Sequence, residues 1–550
     1  MKRRHFLRMT GTAGLFAAGC STLVAKNETP KAIKRPNVLL LYTDDQTFQT
    51  IGALNNPEIK TPNIDKLVAR GTTFTHAMNM GGWSGAICVA ARAMLNTGRR
   101  VWDCQGQSAG NGRLPLFGEQ FRKSGYNTFV TGKWHNGTVT LKKSFTHIGK
   151  TGGGMFGSTG MTGDAYLRPN PPKKDTWDPS DKSRSGHWRS VNGADGKKTI
   201  IHSSDLWANE ANGFLKDVAA KSADPFLMYV AFHAPHDPRQ SPKEYIDKYP
   251  VDKIAIPDNY KPLHPFNSGD MYIRDEILAP HPRTKKAVQQ HRQEYYAIIT
   301  HADAAIGRIL KALDDSGKAD ETIVIFTGDH GLAVGRHGLI GKQNLYDHSV
   351  RVPLIFAGPG IPKGKKIDKQ VYYQSLAPTM MEFCGIDVPK TVQFQSLRNL
   401  IDGKPGGYQG EKEAYLAYQI YQRALRGEKY KLIVYPYAGS KIVWTKNNNE
   451  SRSHNKSACY PVKPYKARIQ LFDIQTDPGE LTNLADDPKF KTIRETMFAK
   501  LQAECTAHND PIKDLRNPPE MKIGGKLHYG SNWDPRRIKP THFAHAHPAK

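Results

Sequence analysis

Cysteine is scarce in this chain, with six in 550 residues, at positions 20, 88, 104, 384, 459 and 505. A disulfide framework is therefore excluded as the source of stability, and the spacings name no pair that export would let bridge. Long hydrophobic runs are absent, so no membrane span is expected. There is no zinc-finger spacing, no aromatic RNA-binding signature, no helix-turn-helix pattern and no internal repeat. Acidic residues are in short supply: 51 Asp and Glu face 78 Lys and Arg, for a formal net charge of +27. That surplus points to an anionic partner, and with no nucleic-acid motif present the expectation is a polyanion other than nucleic acid.

What is present is a set of short apolar runs that end in charge. Asn37-Val38-Leu39-Leu40-Leu41-Tyr42-Thr43 stops at Asp44-Asp45, and Thr322-Ile323-Val324-Ile325-Phe326-Thr327-Gly328 stops at Asp329-His330. Each reads as a buried strand whose carboxyl end, where the ligands of open sheets gather, carries acid. Side by side, the two strands bring Asp44, Asp45, Asp329 and His330 around one point. Three carboxylates there repel one another unless a cation lies between them, so these residues are candidate metal ligands. Two further runs lead into basic groups. Thr128-Phe129-Val130-Thr131 precedes Gly132-Lys133-Trp134-His135, and Phe226-Leu227-Met228-Tyr229-Val230-Ala231-Phe232 precedes His233-Ala234-Pro235-His236. Gly341-Lys342 stands ahead of the run Val352-Pro353-Leu354-Ile355-Phe356.

Between them lies Cys88-Val89-Ala90-Ala91-Arg92-Ala93-Met94-Leu95-Asn96-Thr97-Gly98-Arg99. The string resembles the signature of the type I sulfatases, Cys-x-Pro/Ala-x-Arg followed by Leu-x-Thr-Gly-Arg, with Ala90 and Ala91 where Pro and Ser are commoner. The Gly-Lys-Trp-His, Pro-His and Gly-Lys elements are similar to that family's, as is Asp477-Pro478-Gly479-Glu480-Leu481-Thr482-Asn483-Leu484, and the resemblance covers residues 36 to 510. It implies that a formylglycine-generating maturation enzyme oxidises Cys88 to formylglycine. The hydrated aldehyde then attacks sulfur with one hydroxyl and expels sulfate through the other.

The resemblance also implies one divalent cation, usually calcium, held by Asp44, Asp45, Asp329, His330 and the formylglycine at Cys88. His330 stands where asparagine is frequent; calcium prefers oxygen donors, so magnesium and manganese stay open. By the same resemblance Lys133 binds sulfate, His135 orients the diol and Arg92 supports it. Asp45 draws the proton from the attacking hydroxyl, His236 protonates the leaving oxygen, and Lys342 bridges that oxygen and the sulfate. Fixed cations around the sulfate oxygens are the largest source of transition-state stabilisation for this chemistry. The positive surplus then matches a sulfated poly- or oligosaccharide as substrate. A phosphonate or phosphate diester hydrolase of the same fold is one alternative. A non-catalytic binding protein for sulfated glycan, in which Cys88 stays a thiol, is another.

Lys2-Arg3-Arg4-His5-Phe6-Leu7-Arg8 resembles a twin-arginine export signal within residues 1–20, and the small residues before Cys20 resemble a lipoprotein cleavage box. The expectation is an exported protein, periplasmic or at the outer surface, attached to a membrane only through a lipid on Cys20. The length suggests two domains. From 36 to 405 strand-like and helix-like segments alternate, the pattern of an α/β fold with a large mixed sheet between helices. The resemblance specifies the alkaline-phosphatase-like version. Gly403-Lys404-Pro405-Gly406-Gly407 reads as a linker. Beyond it, residues 411–530 read as a smaller α+β subdomain on an antiparallel sheet, closed by a helix near 493–504, and residues 535–550 as a basic tail. Residues 150–200 and 236–290 read as long loops rimming a cleft. Trp83 and Cys104 read as packing residues.

Overall fold

Seven consecutive residues from Asn37 to Thr43, all of them buried, suit a strand in the middle of a sheet covered on both faces. The computed structural model describes residues 35–106, 111–153, 165–169, 175–192, 196–266, 268, 271, 273–436 and 469–518. The export-like segment with Cys20, Cys459 and the basic tail lie outside the described residues. In chain order the strands begin with β1 (Asn37–Thr43), β2 (Gly71–Met78), β3 (Gly81–Gly82), β4 (Asn127–Lys133) and β5 (His147–Gly152). There follow β6 (Trp188–Asn192), β7 (Lys198–His202), β8 (Phe226–Ala231), β9 (Thr322–Gly328) and β10 (Arg351–Ala357). The last are β11 (Lys365–Tyr372), β12 (Ala414–Tyr418), β13 (Gln422–Arg426), β14 (Tyr430–Val434) and β15 (Ile469–Asp473).

Eight strands form one sheet in the order β11-β2-β10-β9-β1-β8-β4-β5. Neighbours pair parallel, except that β10 runs antiparallel to both β9 and β2. This is the large mixed sheet expected. β1 and β9 pair in register from Asn37 with Thr322 to Thr43 with Gly328, so Asp44 and Asp329 leave the sheet side by side. On the other flank Tyr42 pairs with Ala231 of β8, and Ala231 pairs with Gly132 of β4. Four adjacent parallel strands thus end on one side, which is where the charged ends of the apolar runs meet.

Helices cover both faces. Val38, Leu40 and Tyr42 pack with Ala91, Leu95, Phe117, Phe121, Leu376 and Met380 on one face. Leu39 and Leu41 pack on the other, with Trp207, Phe214, Ile306 and Ile309. The two-residue period of a strand sends alternate side chains into two cores, so both sets must be apolar. Each fully buried leucine contributes roughly 1.5–3 kcal/mol relative to exposure.

The smaller sheet has the order β15-β14-β13-β12-β3. β12 to β15 pair antiparallel, as expected, and the helix Lys491–Ala507 packs against the same core through Met497, Phe498, Leu501 and Cys505. Its fifth strand comes from the larger half: Gly81 and Gly82 pair parallel with Ala417 and Tyr418. Gly81 has φ 104°, and a Cβ there would collide with Ala417 O, so only glycine admits this approach. A buried ionic network joins the two sheets. Asp347, just before β10, pairs with Arg426 of β13 at 2.9 Å and with Lys431 of β14 at 2.8 Å, and Lys431 pairs with Glu480 at 2.7 Å. Within residues 150–200, read as loop, β6 and β7 form an antiparallel hairpin. Among the described residues no helix is long and apolar enough to cross a membrane. Cys88, Cys104, Cys384 and Cys505 are buried free thiols.

Candidate active site

The helix Ile87–Thr97 starts beside the strand ends and stops at Gly98, which takes the left-handed conformation that closes helices. Cys88 and Arg92 lie one turn apart on one face of it. Arg92 is wholly buried. Its Nη2 donates to Asp44 Oδ2 at 2.7 Å, its Nη1 donates to Lys133 O at 2.6 Å, and its guanidinium lies over the Tyr42 ring. Cys88 Sγ lies 3.4 Å from His135 Nδ1. Lys133 Nζ lies 2.7 Å from Asp44 Oδ2.

Asp45 turns the chain out of β1 with φ 66°, a conformation aspartate tolerates better than most residues. Its N–H donates to Asp329 Oδ1 at 3.0 Å, and its carbonyl accepts from Tyr295 OH at 2.6 Å. Its carboxylate takes two hydrogen bonds from Lys342 Nζ, at 2.8 and 2.9 Å, and lies 3.1 Å from His330 Nε2. His236 Nε2 stands 3.9 Å from Asp45 Oδ2, while its Nδ1 donates to Asp237 O at 2.7 Å. Asp44, Asp45, Cys88, Arg92, Lys133, His135, His236, Asp329, His330 and Lys342 are therefore one contiguous group. His233 sits apart, bonded to Gly153 O and packed on Trp207. Trp83 is half-buried against the core of the smaller sheet.

The charges explain one another. Burial alone would raise the Asp44 carboxyl, but Lys133 and Arg92 hold it well below its ordinary range. Burial pushes Asp45 up to about 8 against the pull of Lys342 and His330. It pushes Asp329 to about 6, with Asp44 adding to the rise. Burial works against a charged His330, yet Asp329 and Asp45 raise it to about 9. Burial would also raise the Cys88 thiol, and Lys133 and His135 overcome it, so the thiol falls well below its ordinary value. His236 stays neutral: burial lowers it, then Lys342, Lys133 and Arg274 lower it further.

A divalent cation fits this group. Asp44 Oδ1, Asp329 Oδ2 and His330 Nε2 are buried atoms without a hydrogen bond. With Cys88 those residues offer four ligand atoms within 4.8 Å of one another, and Asp44, Asp45 and His236 form a second such set. Carboxylate oxygens suit a hard cation.

Several residues of the site carried no sequence signal. Tyr295 braces Asp45 from the middle of the 31-residue helix Lys285–Asp315. Arg274, Asp275 and Gln343 touch His236 or Lys342. Nothing in their local sequence separates them from surface charge and amide.

Residues 36–386 match the family model for sulfatases. The chain belongs to the sulfatase family. Residues 335–455 match a second family, the C-terminal region of N-sulphoglucosamine sulphohydrolase. A sulfatase of Formosa agariphila is 27% identical over 531 residues, 91% of this chain and 92% of the relative. An ulvan-active sulfatase of the same organism is 26% identical over 90% of this chain and 86% of its own length. The solved phosphonate monoester hydrolase of Agrobacterium radiobacter superposes with a TM-score of 0.64 at 19% identity, covering 86% of this chain and 96% of that one. The fold is thus the alkaline-phosphatase-like one, and this sulfatase is a sulfuric ester hydrolase, not a mere binding protein.

Proposed function

We propose that this sulfatase hydrolyses sulfate esters on a sulfated poly- or oligosaccharide, using a formylglycine matured from Cys88 and a divalent cation, calcium first among the candidates. The observation that carries the reading is the meeting of three buried cations, Arg92, Lys133 and Lys342, with Cys88 and the acidic strand ends. Formylglycine supplies a hydrated aldehyde oxygen as nucleophile, and the cation withdraws charge from the sulfate. Asp44, Asp45, Asp329 and His330 would hold the cation together with residue 88.

The protein's own groups do the rest. Lys133 binds the equatorial oxygens, and Lys342 bridges the sulfate and the leaving oxygen, where fixed charge in a dry site lowers the barrier most. Arg92 holds Asp44 and the strand ends in register. His135, beside Cys88, orients the nucleophile, and Asp45 takes its proton. His236 handles the leaving oxygen from Nε2. In the resting site that nitrogen accepts from Arg274 at 3.3 Å, so an anionic ester must draw Arg274 aside before Nε2 can carry a proton. The net charge of +27 and the likeness to an ulvan-active sulfatase support a sulfated glycan as substrate. The amino-terminal segment supports export, with Cys20 as a lipid site.

The test is peptide mass spectrometry across Cys88, on protein from its native host or co-produced with a maturation enzyme, paired with Cys88→Ala. Formylglycine in the native protein, and loss of sulfate release with glycan binding retained in the variant, are the expected results. An unmodified thiol in a turning-over enzyme would end the proposal. A second reading, phosphonate or phosphate diester hydrolysis, is favoured by the likeness to the Agrobacterium enzyme. Faster turnover of a phosphonate ester than of an aryl sulfate would select it.

A further inference from the structure

The three residues Arg274-Asp275-Glu276 lie between His236 and the helix Lys285–Asp315, and their side chains grip the loop that carries Lys342. Glu276, buried and held by Arg283 at 2.7 Å, accepts from the N–H groups of Ile340 at 3.0 Å and Gly341 at 2.8 Å. Asp275 Oδ2 stands 3.7 Å from Lys342 Nζ and accepts from the Gln343 amide at 2.5 Å. That amide also donates to Gly85 O at 3.0 Å, just ahead of the helix of Cys88, and its oxygen accepts from Lys342 N at 3.0 Å. Arg274 closes the group by pairing with Asp275 and Asp237 and donating to His236 Nε2. Gln422 of β13 steadies the loop from the far sheet, accepting from Leu345 N and donating to Gln343 O, each at 3.2 Å.

Lys342 is therefore shared unequally between two carboxylates. Asp45 faces one side of the ammonium with both carboxylate oxygens, at 2.8 and 2.9 Å. Asp275, at 3.7 Å, attracts the ammonium without taking a hydrogen bond from it, which leaves N–H capacity for a substrate oxygen. We infer that Asp275 is a positioning residue for departure of the leaving group: it fixes Lys342 directly and, through Gln343, ties the lysine to the entry of the nucleophile's helix. This rests on the reading of Lys342 as the partner of the leaving oxygen. Without the Asp275 charge, Lys342 falls onto Asp45, and the loss is felt most where the leaving oxygen most needs a cation.

A leaving-group series tests this in the matured, metal-loaded full chain, running from 4-nitrophenyl sulfate to phenyl sulfate. The variants are Asp275→Asn, which keeps the shape and a contact with Gln343, Glu276→Gln, Lys342→Ala, and the Asp275→Asn/Lys342→Ala double. For Asp275→Asn the expected loss in kcat/KM is small on 4-nitrophenyl sulfate and on the order of 10²-fold on phenyl sulfate, as for a misplaced catalytic group. No further loss is expected when Asp275→Asn is added to Lys342→Ala. An equal loss along the series, an undiminished loss in the Lys342→Ala background, or no loss at all overturns the inference. Glu276→Gln leaves Asp275 in place and is expected to show the same trend more weakly; it decides the matter if Asp275→Asn does not fold, as read from its thermal-unfolding midpoint. Failure of the sulfatase reading looks different, because the unsubstituted enzyme would then leave every sulfate in the series intact.

Discussion

Arg92 Nη2 lies 2.7 Å from Asp44 Oδ2, and neither side chain touches solvent. The same nitrogen is 3.6 Å from Asp329 Oδ2, so one guanidinium allows two acidic strand ends to stand together. Removing one partner of such a pair leaves an uncompensated buried charge. Arg92→Ala is expected to lose about 3–5 kcal/mol in urea unfolding with chelator present. With calcium the loss should shrink, because the cation takes over part of the neutralisation. Equal losses with and without calcium would show that no ion binds between these carboxylates.

His330 puts a nitrogen among oxygen donors. His330→Asn is expected to raise affinity for calcium relative to manganese, since calcium takes oxygen ligands by preference. Thermal unfolding of chelated protein titrated with each metal reads this directly, as one hundredfold excess over Kd stabilises by about 2.7 kcal/mol. An unchanged preference would place His330 outside the coordination sphere.

Acid should weaken the fold through its neutral histidines. His264 is held at about 4, against 6.5 for the free side chain, because burial disfavours its charge; the bond to Phe266 O pulls the other way and Lys261 adds to the fall. Between pH 6.5 and 4 the unfolded chain takes up a proton that the folded chain refuses. The contribution is therefore present above 6.5 and is lost as pH falls through that window. Unfolding midpoints should drop across it, and less steeply in His264→Gln than in the unsubstituted protein. His187, also at about 4, acts with the same sign. Parallel slopes for the two proteins would refute the assignment to His264.

The parts of this molecule that could be read in advance are those where local pattern and chemistry coincide. β1 and β9 are continuous apolar runs with abrupt acidic ends, and parallel strands buried on both faces leave that trace. The helix of Cys88 carries its own string. What could not be read depends on which distant segment returns to the strand ends. Asp275 and Gln343 become meaningful only because their loops converge on Lys342, and Tyr295 only because its helix passes beneath Asp45. β3 escaped for another reason: two glycines make no strand pattern, and their pairing is set by the approach of Ala417. The β6–β7 hairpin was hidden by the polar residues around it, although Trp188 and His202 at its base are buried. The lowered basicity of His236 follows from burial and from Lys342, Lys133 and Arg274, a set of surroundings that sequence order does not reveal.

The pairing of Gly81 and Gly82 with Ala417 and Tyr418 gives the molecule a clock. The chain entering the helix of Cys88 finds this strand partner only when β12 has been synthesised. At the roughly 5–20 residues per second of synthesis, that delay is on the order of tens of seconds. During it the two glycines, which end as an outer strand of the smaller sheet, have no strand to pair with. The join between the two sheets is thus completed only by the arrival of a strand encoded far downstream.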